Sequence, residues 1–287
     1  SSFGCGTVIS NQLTITVYNE LLPGTITDLD TICYGTAPIV LNTNQSPTGG
    51  NLIYSYQWFS SLNQSQWDII PNATASFYQP GDLFETTYYK VQYTSGYNCG
   101  MVTSNTSEVF VFNQIDPGSI TSNQVICYDS LTTILNIDQY PSGGGNVNYI
   151  YQWQSSLNNN TWGDINLATN ESYEPGNLTQ STYYRLAVYS IEATNQGLSC
   201  GPMYTEPVFI QVYEPLLSGV ISDSQTICYD TQPELIEFST TPSGAAGQND
   251  YTYQWQSSID QITWLNIDSE ITDSLQAPSL TQTTHYR

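Results

Sequence analysis

Few residues in this chain are equipped to do chemistry, and those few are placed by a repeat. Only three side chains are basic, against 25 acidic ones, one histidine and six cysteines. All three cations occupy one register. Lys90 closes Thr86-Thr87-Tyr88-Tyr89-Lys90, Arg185 closes Ser181-Thr182-Tyr183-Tyr184-Arg185, and Arg287 closes Thr283-Thr284-His285-Tyr286-Arg287. The cysteines fall into two registers. Cys33, Cys127 and Cys228 sit in Ile-Cys-Tyr, while Cys5, Cys99 and Cys200 each precede a glycine. Trp58, Trp153 and Trp255 each end a Tyr-Gln-Trp, and Trp67, Trp162 and Trp264 follow nine residues later.

These residues do not assemble a catalytic site. His285 stands alone, at a position that is Tyr in the other repeats. No nucleophile elbow, phosphate loop or His-Glu-x-x-His is present, and pairs of acids do not recur at a fixed spacing. The chain reads as no enzyme. Zinc is disfavoured because there is no Cys-x-x-Cys. Calcium is the one cofactor the acids allow, through Glu20, Asp116 and Glu214 where repeats meet; solvated surface carboxylate is the alternative. A net charge of −22 excludes nucleic acid as a partner, since phosphate binding needs clustered Lys and Arg. No run of eighteen apolar residues is available to cross a membrane.

The elements that position these residues come from the period. Cys33, Cys127 and Cys228 lie 94 and 101 residues apart, too far for a solenoid unit and right for one small domain per repeat. Residues 20–114 and 115–214 read as complete repeats and 215–287 as a truncated one. Residues 1–19 align with the last strand of an upstream repeat, so the expected context is a longer tandem array. Tyr54, Tyr56 and Trp58 alternate on one face, as do Tyr89, Val91 and Tyr93; no segment has a helical period. Six to eight short strands per repeat point to an all-β array of antiparallel sandwiches. Alternation puts Tyr89 inward and Lys90 outward. The expected place of each cation is over a neighbouring ring or beside an acid; a solvated side chain is the alternative. Trp58, Trp153 and Trp255 read as core. Trp67, Trp162 and Trp264 read as core or as an outward aromatic contact surface. Proline-bearing stretches at 19–24, 113–118 and 213–219 read as short linkers.

Register suggests bridges within each repeat, Cys33 to Cys99 and Cys127 to Cys200, with Cys5 and Cys228 left unpaired. That accounts for the two phased orphans more cleanly than a bridge between repeats; reduced buried thiols are the alternative. Regular pairing implies an oxidising, extracytoplasmic setting.

The pattern Gly-x-Ile…Ile-Cys-Tyr…Pro-x-Gly-Gly…Tyr-Gln-Trp-x-Ser-Ser…Thr-Thr-Tyr-Tyr-Arg…Cys-Gly…Val-x-Val resembles the Ig-like (PKD-like) tandem repeats of very large Bacteroidota surface proteins, including gliding-motility adhesins of the SprB-like class. That resemblance implies type IX secretion and an extracellular, cell-surface location. The function it implies is a stalk that presents a distal binding region. Its partners would be neighbouring repeats of the same chain, with surface polysaccharide or other cells beyond them. A glycan-binding module, or accessory domains of a secreted hydrolase, are the rival readings. It also implies O-glycosylation at Asp-Ser/Thr-aliphatic signals, which Thr31, Ser130 and Ser274 fit.

Overall fold

The computed structural model describes residue 4 and residues 6–27, 29–145, 148–191, 197–246 and 251–287. Cys5 therefore lies outside the described residues. The chain divides into two compact units. The first comprises 1–117, 141–150 and 188–203; the second comprises 118–140, 151–187 and 204–287.

The first repeat builds one sandwich from β1 (Asn19–Leu22), β2 (Thr25–Ile26), β3 (Leu29–Ile32), β4 (Leu41–Gln45), β5 (Thr48–Gly50), β6 (Tyr54–Ser61), β7 (Asp68–Ile69), β8 (Phe77–Tyr78), β9 (Thr87–Ser95), β10 (Met101–Thr103) and β11 (Ser107–Val111). The larger sheet runs β3-β11-β9-β6-β7, with β10 also on β9; the smaller is β2-β4-β8. Period-2 patterning drives this arrangement. Along β9, Thr87, Tyr89, Val91, Tyr93 and Ser95 are buried, while Tyr88, Lys90 and Gln92 face outward. Ile26 and Leu41 of the smaller sheet meet Trp58, Tyr89, Val91 and Val109 of the larger one in the core. The sandwich is not wholly antiparallel: β3 pairs β11 in parallel, with Ile32 beside Val111.

The second repeat repeats this plan with β12 (Asn113–Asp116), β13 (Ser119–Ile120), β14 (Gln124–Ile126), β15 (Ser130–Leu131), β16 (Leu135–Gln139), β17 (Ser142–Gly144), β18 (Asn148–Ser156), β19 (Gly163–Asp164), β20 (Ser172–Tyr173), β21 (Asn177–Leu178), β22 (Thr182–Ile191), β23 (Ser199–Tyr204) and β24 (Val208–Val212). Its larger sheet is β14-β24-β22-β18-β19, and β14 is again parallel to β24. The third repeat has β25 (Glu214–Leu217), β26 (Val220–Ile221), β27 (Phe238–Thr240), β28 (Ser243–Ala245), β29 (Gln256–Ser258), β30 (Leu265–Asn266) and β31 (His285–Tyr286). Ile236, Trp255 and Leu275 form its core.

The stretches expected to be linkers are strands. β1, β12 and β25 pair with β5, β17 and β28, the Gly-Gly or Gly-Ala segments of their own repeats. Only Phe112 separates β11 from β12, and only Tyr213 separates β24 from β25. The glycines explain the pairing. Gly49, Gly143 and Gly244 all have positive φ, and a Cβ there would run into the carbonyl oxygen of Glu20, Gln114 or Pro215. The third repeat keeps this first glycine and changes only the second, to Ala245. Residues 7–18 form no strand, and Val8, Ile9, Leu13, Ile15 and Val17 are exposed. A strand needs a ladder partner for its backbone groups, and β1, which follows, already has β5.

The expected cysteine pairing is overturned. Cys33 is bonded to Cys200, with a Cα–Cα distance of 5.5 Å, while Cys99, Cys127 and Cys228 are free thiols. Both bonded residues belong to the first compact unit. Strand direction supplies the reason. Cys33 follows Ile32, at the forward end of β11. β9 runs the other way, from Thr87 beside Val109 to Ser95 just before Cys99. Those eight residues of strand rise about 26 Å, against the roughly 7 Å a disulfide tolerates between Cα atoms. Cys33 and Cys99 lie at opposite ends of one sandwich.

Candidate functional site

Each cation is fixed first by its strand. Lys90 stands opposite Phe59 in the β6–β9 ladder, so both side chains leave the same outer face. The loop after β6 then brings a tryptophan back over that face. Ser61 Oγ accepts from the backbone N–H groups of Asn63 and Gln64, and Asn63 Oδ1 accepts from those of Ser65 and Gln66. Gln64 takes the left-handed conformation that closes the turn. Trp67 Nε1 donates to the Gln64 carbonyl at 3.1 Å. Its ring lies under Lys90 Nζ at 4.0 Å to the centroid, with Phe59 at 5.9 Å.

The second and third repeats build the same site with different chemistry. Arg185 lies 4.3 Å from the Trp162 centroid and 3.8 Å from that of Tyr204, and its Nε donates to Gln154 Oε1 at 2.8 Å. Arg287 lies 4.2 Å from Trp264, and its Nε donates to Gln256 Oε1 at 2.8 Å. Burial lowers the Arg185 pKa, and the Tyr204 hydroxyl acts in the opposite direction. In the third loop Asp260 takes the place of Asn63. The N–H groups of Thr263 and Ile262, with the Ser258 hydroxyl, hold its carboxyl down at about 2. The arrangement pins a hairpin loop to the outer sheet. A cation over a ring contributes about 0.5–1 kcal/mol when exposed and ~2 when desolvated.

The structure therefore joins Lys90, Arg185 and Arg287 to Trp67, Trp162 and Trp264. One face of each tryptophan is covered by a cation, which removes it as a stacking platform. Gln154, Gln256 and Tyr204 were not singled out from sequence. A signal existed: Arg185 and Arg287 go with Tyr-Gln-Trp-Gln, whereas Lys90 goes with Tyr-Gln-Trp-Phe. Lysine has no Nε–H fork and phenylalanine no acceptor, so the two positions change together.

The inner tryptophans are core. Trp58 and Trp153 are fully buried and Trp255 nearly so. Their Nε1 groups donate to the carbonyls of Ala75, Asn170 and Thr272, each at 3.0 Å. Trp58–Tyr78–Tyr89 and Trp153–Tyr173–Tyr184 pack as tilted rings with the same 6.0 and 5.9 Å centroid spacings. Desolvation, with Tyr173 nearby, pushes the Tyr184 phenol up to about 12; Tyr89 is raised for the same reasons, beside Tyr78.

Other expected sites do not converge. Thr31 lies on β3, Ser130 on β15 and Ser274 beside the core residue Leu275, three different registers. Among the described residues no group of three or more His, Cys, Asp or Glu gathers to hold a metal. His285 Nε2 is 3.1 Å from Gln261 Nε2. A cleft of about 660 Å³ in the third repeat runs between residues 221–229 and 280–286. In the other repeats β11 and β24 fill that position.

A family model described as a domain of unknown function, DUF8696, matches residues 22–113, 116–214 and 217–287. The chain belongs to that family. Each DUF8696 match carries one inner tryptophan, one loop tryptophan and one cation. No curated protein sequence matches. Among solved structures, the three N-terminal domains of the bacteriophage RB49 highly immunogenic outer capsid protein (Hoc) share 14% identity, with 92% of this chain and 86% of that one covered and a TM-score of 0.33. Titin domains I67–I69, an E-to-A mutated variant, share 12%, covering 92% and 94%, with a TM-score of 0.38. Extracellular domains 3–5 of Drosophila OTK share 12%, covering 87% and 82%, with a TM-score of 0.27.

Proposed function

We propose that this tandem Ig-like array is a segment of an extracellular stalk, non-enzymatic, that holds a distal binding region away from a cell surface. The observation that carries this reading is the junction. One residue separates the last strand of each repeat from the first strand of the next, and that first strand is paired inside its own repeat. Such a junction has no slack of the kind a Gly/Ser linker provides. The Cys33–Cys200 bond fits an oxidising compartment. The resemblance to Bacteroidota gliding adhesins supplies the finer form of the proposal: a type IX-secreted surface adhesin of the SprB-like class.

Small-angle scattering of the oxidised chain tests the stalk. A compact body of this length has a radius of gyration of about 19 Å. The stalk reading expects a value well above that with a rod-like profile; a value near 19 Å contradicts it. Antibodies to residues 116–214 should label intact producing cells, and labelling only after permeabilisation would refute the surface location.

A further inference from the structure

We propose that the disulfides of this array run forward, from the Ile-Cys-Tyr cysteine of each repeat to the Cys-Gly cysteine of the following one. Cys33–Cys200 is the first such bridge. Cys127 and Cys228 are then half-sites for the Cys-Gly cysteine of a following repeat, and Cys99 is the half-site for the Ile-Cys-Tyr cysteine of a preceding one.

Two sets of observations place the free thiols in the same setting as the bonded pair. The first concerns the Ile-Cys-Tyr turn. The Cys33, Cys127 and Cys228 carbonyls each accept from the N–H three residues on, at 3.2 Å in all three cases. Ile32 and Ile126 accept from Phe112 and Tyr213, both at 3.0 Å, so Cys33 and Cys127 leave the sheet at the same point. Cys127 and Cys228 are exposed. The second concerns the glycine after each Cys-Gly cysteine. Gly100 and Gly201 follow their cysteines with φ of 111° and 108°, a conformation reserved for glycine. Cys99, two residues before β10, and Cys200, within β23, thus precede the same glycine conformation on matching strands, and only Cys200 is bonded to an Ile-Cys-Tyr cysteine of an earlier repeat.

The chemistry balances with an oxidised thiol–disulfide oxidoreductase as acceptor. One cysteine thiolate attacks the enzyme disulfide to give a mixed disulfide. The second cysteine displaces the enzyme, which leaves as a dithiol carrying the two electrons and two protons. The arrangement also interlocks. Cys127 lies inside the loop closed by Cys33 and Cys200, so successive loops overlap. A single backbone cut anywhere within the bridged array leaves the pieces joined. Bridges confined to single repeats would leave every stretch between Cys99 and Cys127 uncovered.

The full chain tests this with trypsin. Lys90 and Arg185 are the only internal sites. Cleavage of the oxidised, thiol-blocked and urea-unfolded chain gives fragments 1–90, 91–185 and 186–287. The forward bridge expects 1–90 and 186–287 to migrate joined, and 91–185 to be released alone with Cys99 and Cys127 both alkylated. If all three fragments stay joined until reductant is added, or all three separate without it, the proposal is wrong. A second variant carries a duplicate of residues 116–214 inserted after residue 214 of the full chain. Cys127 should then lose its alkylation and be recovered linked to the Cys-Gly cysteine of the inserted copy. Cys127 left alkylated while Cys33–Cys200 forms would overturn the forward rule.

Discussion

The inside and the outside of these sandwiches obey different rules. Inside, the Trp–Tyr–Tyr stack has the same spacings in the first two repeats, and the indole donor always finds a carbonyl seventeen residues on. Outside, the cation site keeps its position but changes its chemistry, from Lys90 on Trp67 and Phe59 to Arg185 between Trp162 and Tyr204. Close packing fixes volume and shape to within a methylene, so the interior repeats almost unchanged. The outer face asks only that a loop be held to a sheet, and more than one pair of groups does that.

Trp153→Ala should have the largest effect on this comparison, destabilising the second repeat by about 3–5 kcal/mol through lost burial and a cavity. Denaturant unfolding followed by tryptophan fluorescence measures it; a loss below 1 kcal/mol would mean the inner stack is not the core. Next comes alkali. Unfolded tyrosines ionise near 10, while Tyr184 holds its proton to about 12. Its contribution to stability is therefore complete below pH about 10 and is lost as pH rises toward about 12. Tyrosinate absorbance should show exposed phenols titrating first and Tyr184 with Tyr89 only as the fold is lost; one uniform titration near 10 would contradict the buried stack. Arg185→Gln should cost the second repeat about 1–2 kcal/mol, and Lys90→Gln the first about 0.5–1 kcal/mol. Equal losses would show that Gln154 and Tyr204 add nothing. The smallest effect is a gain. Phe59→Gln with Lys90→Arg should install the third repeat's Arg–Trp–Gln site in the first and stabilise it by up to about 1 kcal/mol, and neither single change should do so.

Sequence disclosed the repeat, the β patterning, the inward Trp58 and Tyr89 and the outward cation, because each rests on period-2 alternation and local register. It did not disclose the partner of Cys33. Cys99 and Cys200 are in the same phase, so spacing cannot separate a bridge within a repeat from one between repeats. That choice depends on β3 running parallel to β11, toward the end of the sandwich opposite Cys99. The strands at 19–22, 113–116 and 214–217 were hidden for a related reason. Their partners are the short Thr-Gly-Gly, Ser-Gly-Gly and Ser-Gly-Ala segments, which carry no alternating apolar signal, and Pro215 lies within one of the hidden strands.

Pulling single oxidised molecules by their two ends tests the central claim, an array whose force path crosses from repeat to repeat through cysteine. The forward bridge hides residues 34–199 from extension. Adding reductant under load should release one further length of about 55–60 nm, at 3.3–3.6 Å per residue. Two separate releases of about 20–25 nm each would instead assign the bridges to single repeats and contradict the account.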